Sequence, residues 1–324
     1  MWAVYLPCIF YYVWISLKSR SFGFFKAVNP ALPYGGMTLE NKNFINQIIP
    51  ENYRAKSLLL DKKSQKKALS FIEENSIKYP VVLKPNNGCR GRGVEIIYNS
   101  EQLVKYFQNC HDEDILLEEY IDFPNEIGVF YIRLPNKKRG FISGIVGKKG
   151  IEVSGTGDKS LKELVKLDLR YHKFYPSVFE NEIFDENTVP TKDEKILLSS
   201  IGNHARGATF YDVSENITAP LELMFNELCS KFDGFYYGRF DVKFNNWEEL
   251  EKGKNFKIIE LNGAASEPTF IYDPKNSYFV AVKEIIRHWN YMYRIAKVNN
   301  QKGHQFTDIN ECWSIFRKFN PFSI

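Results

Sequence analysis

Four polar side chains on two short β-prone runs have the types and spacing to act together. Residues 237–244 read YGRFDVKF, the acidic linker NNWEELEKGK follows, and residues 256–263 read FKIIELNG. Two such runs around one connection predict an antiparallel strand pair. Strand side chains alternate between faces, so Arg239 and Asp241 share one face while Phe240 and Val242 take the other. On the second run Glu260 and Asn262 share a face, opposite Ile259 and Leu261. Asp241, Glu260 and Asn262 offer only hard oxygen ligands. Such a set suits Mg²⁺, with Mn²⁺ as an alternative, because Mg²⁺ takes few protein ligands and completes its shell with water and nucleotide phosphates. No His or Cys lies near enough in sequence to indicate zinc. An ordinary wet face on a strand pair has the same alternation, so the upstream elements decide between the two readings.

The most telling of these is YPVVLKPNNGCRGRGVEIIYNS, residues 79–100. Val81–Lys84 and Val94–Tyr98 read as strands joined by the glycine-rich loop Gly88–Gly93. Glycine lets backbone N–H groups approach phosphate oxygens without a Cβ in the way. The spacing is neither that of a P-loop nor that of a dinucleotide fingerprint, since a strand follows the last glycine. A plain flexible hairpin is the alternative. Lys84 argues against it: a lysine ending the apolar run VVLK needs an anionic partner.

The chain has 324 residues, 44% hydrophobic and 25% charged, with a net charge of +4, which is an ordinary globular composition. Basic and acidic residues are well mixed, and no basic stripe with interleaved aromatics indicates a nucleic-acid partner. The cysteines at 8, 89, 110, 229 and 312 are odd in number and unpatterned, which fits a reducing, cytoplasmic compartment. Residues 1–17 carry no charge, and Lys18 and Arg20 follow. They lack a basic start and a small-residue cleavage site, so they do not read as a secretory signal. Pro7 belongs in a first helical turn, leaving about a dozen helical residues. Three readings stay open for this helix: burial against the body or a partner, peripheral contact with a membrane surface, and spanning. Residues 21–55 are rich in Gly, Pro and Asn and read as an irregular connector.

Further elements follow in order. Ser57–Leu60 resembles a strand, and residues 62–78 have the spacing of an amphipathic helix. Ser100–Asn109 reads as a helix with a Ser cap, and ILLEEYI at 115–121 as a strand. Ile127–Leu134 is another strand, and 141–146 with 150–153 a further pair. A helix capped by Ser160 follows GTGDK. Residues 165–195 form the least regular stretch, residues 219–233 and 278–298 read as helices, and 299–324 is a tail.

Taken in order, YPVVLKP with its glycine hairpin, LLEEYI followed by Glu126, GRFDVKF and IIELNG resemble the ATP-grasp superfamily. Within it they resemble the D-alanine–D-alanine ligase-like carboxylate–amine ligases, over roughly residues 55–290. The resemblance implies an α+β fold, with two subdomains of mainly antiparallel sheet clamping a nucleotide. The chain then divides into an apolar N-terminal extension (1–55), a small subdomain (56–122), a large subdomain with the metal site (123–298) and a tail (299–324). ATP and Mg²⁺ are the implied cofactors. Lys84 resembles the lysine that contacts the nucleotide phosphates, and Lys56 is a loose match to a second one. Gly91, Arg92 and Gly93 lie in the loop over the triphosphate. Glu118, Glu119, Tyr120 and Ile121 resemble the adenine hinge, with Glu119 at the exocyclic amine and backbone groups of Ile121 facing the base. Glu126 resembles the ribose ligand. Asp241, Glu260 and Asn262 resemble the metal ligands, and Arg239 the arginine facing the oxyanion. Arg206, in the segment Asn203–Gly207, resembles an element touching the γ-phosphate, although it could equally pair with Asp212. His204 reads as structural.

The implied reaction is ATP-dependent ligation of a carboxylate and an amine through an acyl phosphate. A kinase on the same fold and a nucleotide-binding scaffold are the alternatives. Substrates would be small or carried on a lipid, a polymer or a protein. The loops Gly88–Gly93 and Gly155–Asp158 are candidate lids. The resemblance also has gaps. Some 55 residues precede the grasp region here, where D-alanine–D-alanine ligases have a longer N-terminal domain, and GAASEPTFIYDP stands in place of the Pro-Gly segment after the metal Asn.

Overall fold

A computed structural model describes residues 2–37, 41–61, 64–87, 93–109, 114–179, 184–199, 207–308 and 311. Chain order begins with helix α1 (Trp2–Ser19), α2 (Lys42–Ile48), strand β1 (Ser57–Leu60) and α3 (Gln65–Glu74). The glycine hairpin follows as β2 (Val81–Pro85) and β3 (Glu95–Ile97), then α4 (Ser100–Asn109) and β4 (Ile115–Glu119). Next come β5 (Asn125–Ile132), β6 (Phe141–Lys149), β7 (Ile151–Ser154), α5 (Leu161–Leu167), β8 (Lys195–Ser199) and β9 (Thr209–Asp212). Finally α6 (Ala219–Ser230), β10 (Tyr237–Phe244), α7 (Trp247–Glu251), β11 (Phe256–Asn262) and α8 (Tyr278–Gln301) complete the described chain. Short 3₁₀ turns link several of these.

Two sheets position the candidate site. One has the order β1-β4-β2-β3, the other β11-β10-β5-β6-β9, and β7 pairs with β8 alone. Sequence alone suggested that β6 and β7 pair with each other; instead they join different sheets. By compactness the chain divides into residues 1–146 with 212–324, and residues 147–211. The second unit has its own small core of Ile151, Val153, Leu161, Val165 and Leu198. Its helix α5 opens with a reciprocal capping box between Ser160 and Glu163, which satisfies two otherwise unpaired N–H groups.

In the larger unit, Phe240 and Val242 of β10 point into a core with Phe225 of α6, Val129 of β5 and Leu261 of β11. Strict alternation fails at one place on β11. A bulge falls between Asp241 and Val242 in the β10–β11 register, so Val242 pairs with Ile258 and Ile259 is the extra residue. Ile258, not Ile259, therefore joins Leu261 in the core. The helix at 100–109 is capped by Asn99, whose Oδ1 accepts from Gln102 N at 2.9 Å, rather than by Ser100.

Residues 21–55 are more than a connector: Phe24, Val28 and Ile45 are buried in the cores. Helix α1 also differs from expectation, because it runs through Pro7 rather than starting there. Proline lacks the N–H that would reach Ala3, a loss tolerated here because one face of the helix packs on the body. Cys8 and Ile15 are fully buried, and Tyr5 and Tyr12 both lie against Trp289 of α8. No helix among the described residues is long and apolar enough to cross a membrane.

His288 of α8 is 1% exposed, with Phe130 edge-on at 4.5 Å and Tyr237 Oη 3.2 Å from its Nδ1. Burial, and secondarily Arg287, push its pKa down to about 3. The unfolded chain therefore binds one more proton than the native protein between about pH 6.5 and 3. Stability from this group falls as pH drops through that window, by at most about 1.4 kcal/mol per pH unit. Thermal unfolding from pH 7 to 4 should show a shallower acid slope in His288→Gln than in the native chain.

Candidate active site

The register confirms that the polar residues of β10 and β11 face each other. Arg239 stands opposite Asn262, and Asp241 opposite Glu260. Arg239 Nε donates to Asp241 Oδ1 at 2.8 Å, and Nη2 to Oδ2 at 3.2 Å. Burial alone would make the guanidinium easier to deprotonate. The carboxylates of Asp241, Glu260 and Glu267 outweigh it and hold the charge more firmly than usual. Asp241 is itself buried, whereas Glu260 is exposed at the strand edge. Asn262 Nδ2 is buried with no hydrogen-bond partner, so that amide retains unused polar capacity.

On the other side of β10, Gly128 of β5 sits directly opposite Asp241. A Cβ there would come within 2.8 Å of Val146 Cγ1, 3.0 Å of Arg239 Cδ and 3.1 Å of Asp241 Oδ1. The Arg239–Asp241 pair thus occupies space that only glycine leaves open. Gly128→Ala should cost about 1–3 kcal/mol through overpacking and displace the pair. An unchanged unfolding midpoint would contradict that packing.

The candidate hinge is held by a residue that no motif singles out. Lys243 shares the parity of Arg239 and Asp241 on β10 and stands opposite Glu126 of β5. Its Nζ donates to Ile121 O at 2.9 Å and lies 4.8 Å from the Tyr120 ring centroid. Lys243 thereby ties the candidate hinge residues to the strand that carries the candidate ribose ligand. Its signal in the sequence was the period-2 run of polar residues at 239, 241 and 243.

The candidate phosphate lysine has a protein partner. Lys84 and Glu118 are diagonal neighbours on β2 and β4, with Nζ and Oε2 2.5 Å apart and both side chains largely buried. Asn46 Nδ2 donates to Glu118 Oε1 and Ser57 Oγ, each at 3.0 Å. Glu118 is therefore the inward member of the acidic pair. Glu119 is half-exposed, with Oε2 accepting from Lys56 N at 3.3 Å. Lys56 itself turns elsewhere: its Nζ donates to Asn75 O at 3.0 Å. Gly93 has φ +69°, and a Cβ there would lie 2.6 Å from Pro85 Cγ. Gly88–Arg92, which includes Gly91 and Arg92, lies outside the described residues, as do Asn203, His204 and Arg206.

Beyond Asn262 the chain brings in a third carboxylate. Glu267 accepts from Tyr5 Oη at 2.5 Å and from Tyr272 Oη at 3.0 Å. Burial first, and then Glu267, hold both phenols protonated well above the usual tyrosine range. Nothing in the sequence links Tyr5 to a position 262 residues away. Glu267 does fall in GAASEPTFIYDP, the segment where the resemblance broke down.

Among the described residues no three His, Cys, Asp or Glu side chains form a metal cage. Two carboxylates and an amide remain, and each has an oxygen to offer. That set fits a cation that takes much of its shell from water and a nucleotide.

Residues 56–150 match the ATP-grasp domain family. Over 258 residues the chain is 25% identical to the carbamoyl phosphate synthase large chain of Helicobacter pylori, covering 75% of this chain and 21% of that protein. It is 42% identical over 59 residues to the 2-oxoglutarate carboxylase small subunit of Hydrogenobacter thermophilus, covering 16% of this chain and 12% of the relative. The chain thus spans about a fifth or less of the length of these relatives. Among solved structures it resembles the D-alanine–D-alanine ligase of Bacillus anthracis complexed with ATP, with 13% identity and a TM-score of 0.46. That likeness covers 81% of this chain and 68% of the ligase. Residues 56–150 of this α+β chain thus belong to the ATP-grasp domain family.

Proposed function

We propose that the protein is an ATP-dependent carboxylate–amine ligase acting through an acyl phosphate and releasing ADP and phosphate. The observation that carries this reading is the strand pair itself. It sets the buried Arg239–Asp241 couple against Glu260 and Asn262, in a chain whose upstream part matches the ATP-grasp domain. In the first step a substrate carboxylate oxygen bonds to the γ-phosphorus of ATP and the bond to ADP breaks. In the second, a neutral amine bonds to the acyl carbon, the C–O bond to phosphate breaks, and the amine sheds one proton.

The protein's part is to position reactants and offset charge. Arg239 presents a permanent cation where the tetrahedral oxyanion develops. Lys84 offers its ammonium to phosphate oxygens, exchanging its contact with Glu118. Glu126 and the 118–121 segment, braced by Lys243, hold the nucleoside. Asp241, Glu260 and Asn262 would hold Mg²⁺, which when bound neutralises charge on the phosphoryl oxygens.

The test is incubation with ATP, Mg²⁺, hydroxylamine and a panel of carboxylates, including amino acids and lipid-linked acids. ADP release with hydroxamate formation is expected, abolished by EDTA and restored by Mg²⁺ or Mn²⁺. A phosphate monoester without hydroxamate would identify a kinase instead. Nucleotide binding without ADP release would leave the nucleotide-binding scaffold.

A further inference from the structure

Helix α1 has a second face that the fold leaves uncovered. Its buried side (Tyr5, Cys8, Tyr12, Ile15) packs on the body, with Cys8 Sγ 3.9 Å from Val282 O of α8. The opposite side presents Leu6, Ile9, Phe10, Val13 and Leu17, at the i, i+3, i+4, i+7, i+11 spacing of one helical face. Leu6 is 62% exposed, Phe10 81% and Leu17 67%. Phe279, in the first turn of α8, is 81% exposed as well. A contiguous apolar face of this kind on a protein surface marks an interaction site.

We propose that this face docks on an anionic lipid surface, with α1 lying in the plane of the interface. Two observations favour lipid over a second copy of the chain. Residues 1–39 contain no Asp or Glu, whereas Lys18 and Arg20 stand exposed at the end of the helix. Such charge complements acidic headgroups and gives a second chain no counter-charge on this segment. Lys18 lies over the ring of Trp14, 4.8 Å from its centroid, and Trp14 is itself half exposed. An aromatic ring with an ammonium at its face is suited to the headgroup boundary, where one side is apolar and the other wet. The burial of the opposite face holds α1 parallel to the body's surface instead of leaving it free to span.

The docking also has a consequence for the site. The same helix supplies Tyr5 to Glu267, so docking would bring the region after Asn262 close to the lipid surface. The docking claim itself stands whether or not the chain proves to be a ligase.

The experiment is cosedimentation of the full chain with phosphatidylcholine vesicles containing 30% phosphatidylglycerol, and with pure phosphatidylcholine. The native chain should partition to the acidic vesicles, and brominated lipid should quench its fluorescence through Trp14. The triple variant Leu6→Gln, Phe10→Gln, Leu17→Gln changes only exposed side chains. It should keep its circular dichroism and unfolding midpoint and lose binding roughly tenfold or more. Lys18→Gln with Arg20→Gln should remove the preference for acidic vesicles. A native chain that stays in the supernatant with both vesicles overturns the proposal. So does a native dimer in analytical ultracentrifugation that the triple variant converts to monomer, since the face would then belong to a second copy.

Discussion

Arg239→Ala is expected to lower kcat by roughly 10²–10³-fold, or about 2.7–4 kcal/mol of barrier, while nucleotide affinity changes little. The physical basis is that the guanidinium is needed where charge develops on the acyl oxygen, not where ATP rests. Its position supports the split. Arg239 is fixed to Asp241 through two hydrogen bonds and is nearly buried, so it is aimed before any substrate arrives. Removing it also leaves the Asp241 carboxylate without its cation. Arg239→Lys controls for that: the ammonium restores a charge near Asp241 but not the planar two-point contact. It should recover stability more fully than turnover. Nucleotide binding by calorimetry and turnover by ADP release separate the effects. A loss of ATP affinity equal to the loss of kcat would sink the oxyanion role.

The second large effect concerns Lys84. Lys84→Met strands Glu118, which is 7% exposed, in the β1-β4-β2-β3 sheet. Breaking a buried pair from one side typically costs about 3–5 kcal/mol, and the unfolding midpoint should fall accordingly. Adding Glu118→Leu removes the orphaned charge and should return most of that stability, leaving Asn46 to lose one acceptor. Nucleotide binding should not return with it. A stable double variant that binds no ATP, beside a Glu118→Leu single variant that does, would place the lysine's function on the nucleotide. A double variant that binds ATP normally would reduce Lys84 to a structural partner of Glu118.

Much of the site's sheet was visible in one dimension. Period-2 alternation put Arg239 with Asp241 and Glu260 with Asn262, and the register places those pairs opposite each other. The alternation failed at Ile259, because a bulge adds a residue that no local pattern announces. Lys84 was recognisable as needing an anion, since a lysine ending an apolar strand must be paired. Which anion was not, because Glu118 lies on another strand and becomes its neighbour only through sheet order. Pro7 was misread for a related reason: propensity forbids an interior proline in an isolated helix, but packing on α8 overrides it.

The order of the motifs, the ATP-grasp match over residues 56–150 and most strand faces were legible in the chain alone, because motif spacing and side-chain alternation are local properties. Only the tertiary structure brought Tyr5 to Glu267, Lys243 to the Ile121 carbonyl and Gly128 against Asp241. It also showed which half of α1 is covered. Those contacts join residues far apart in the chain, and nothing short of the folded sheets sets their distances.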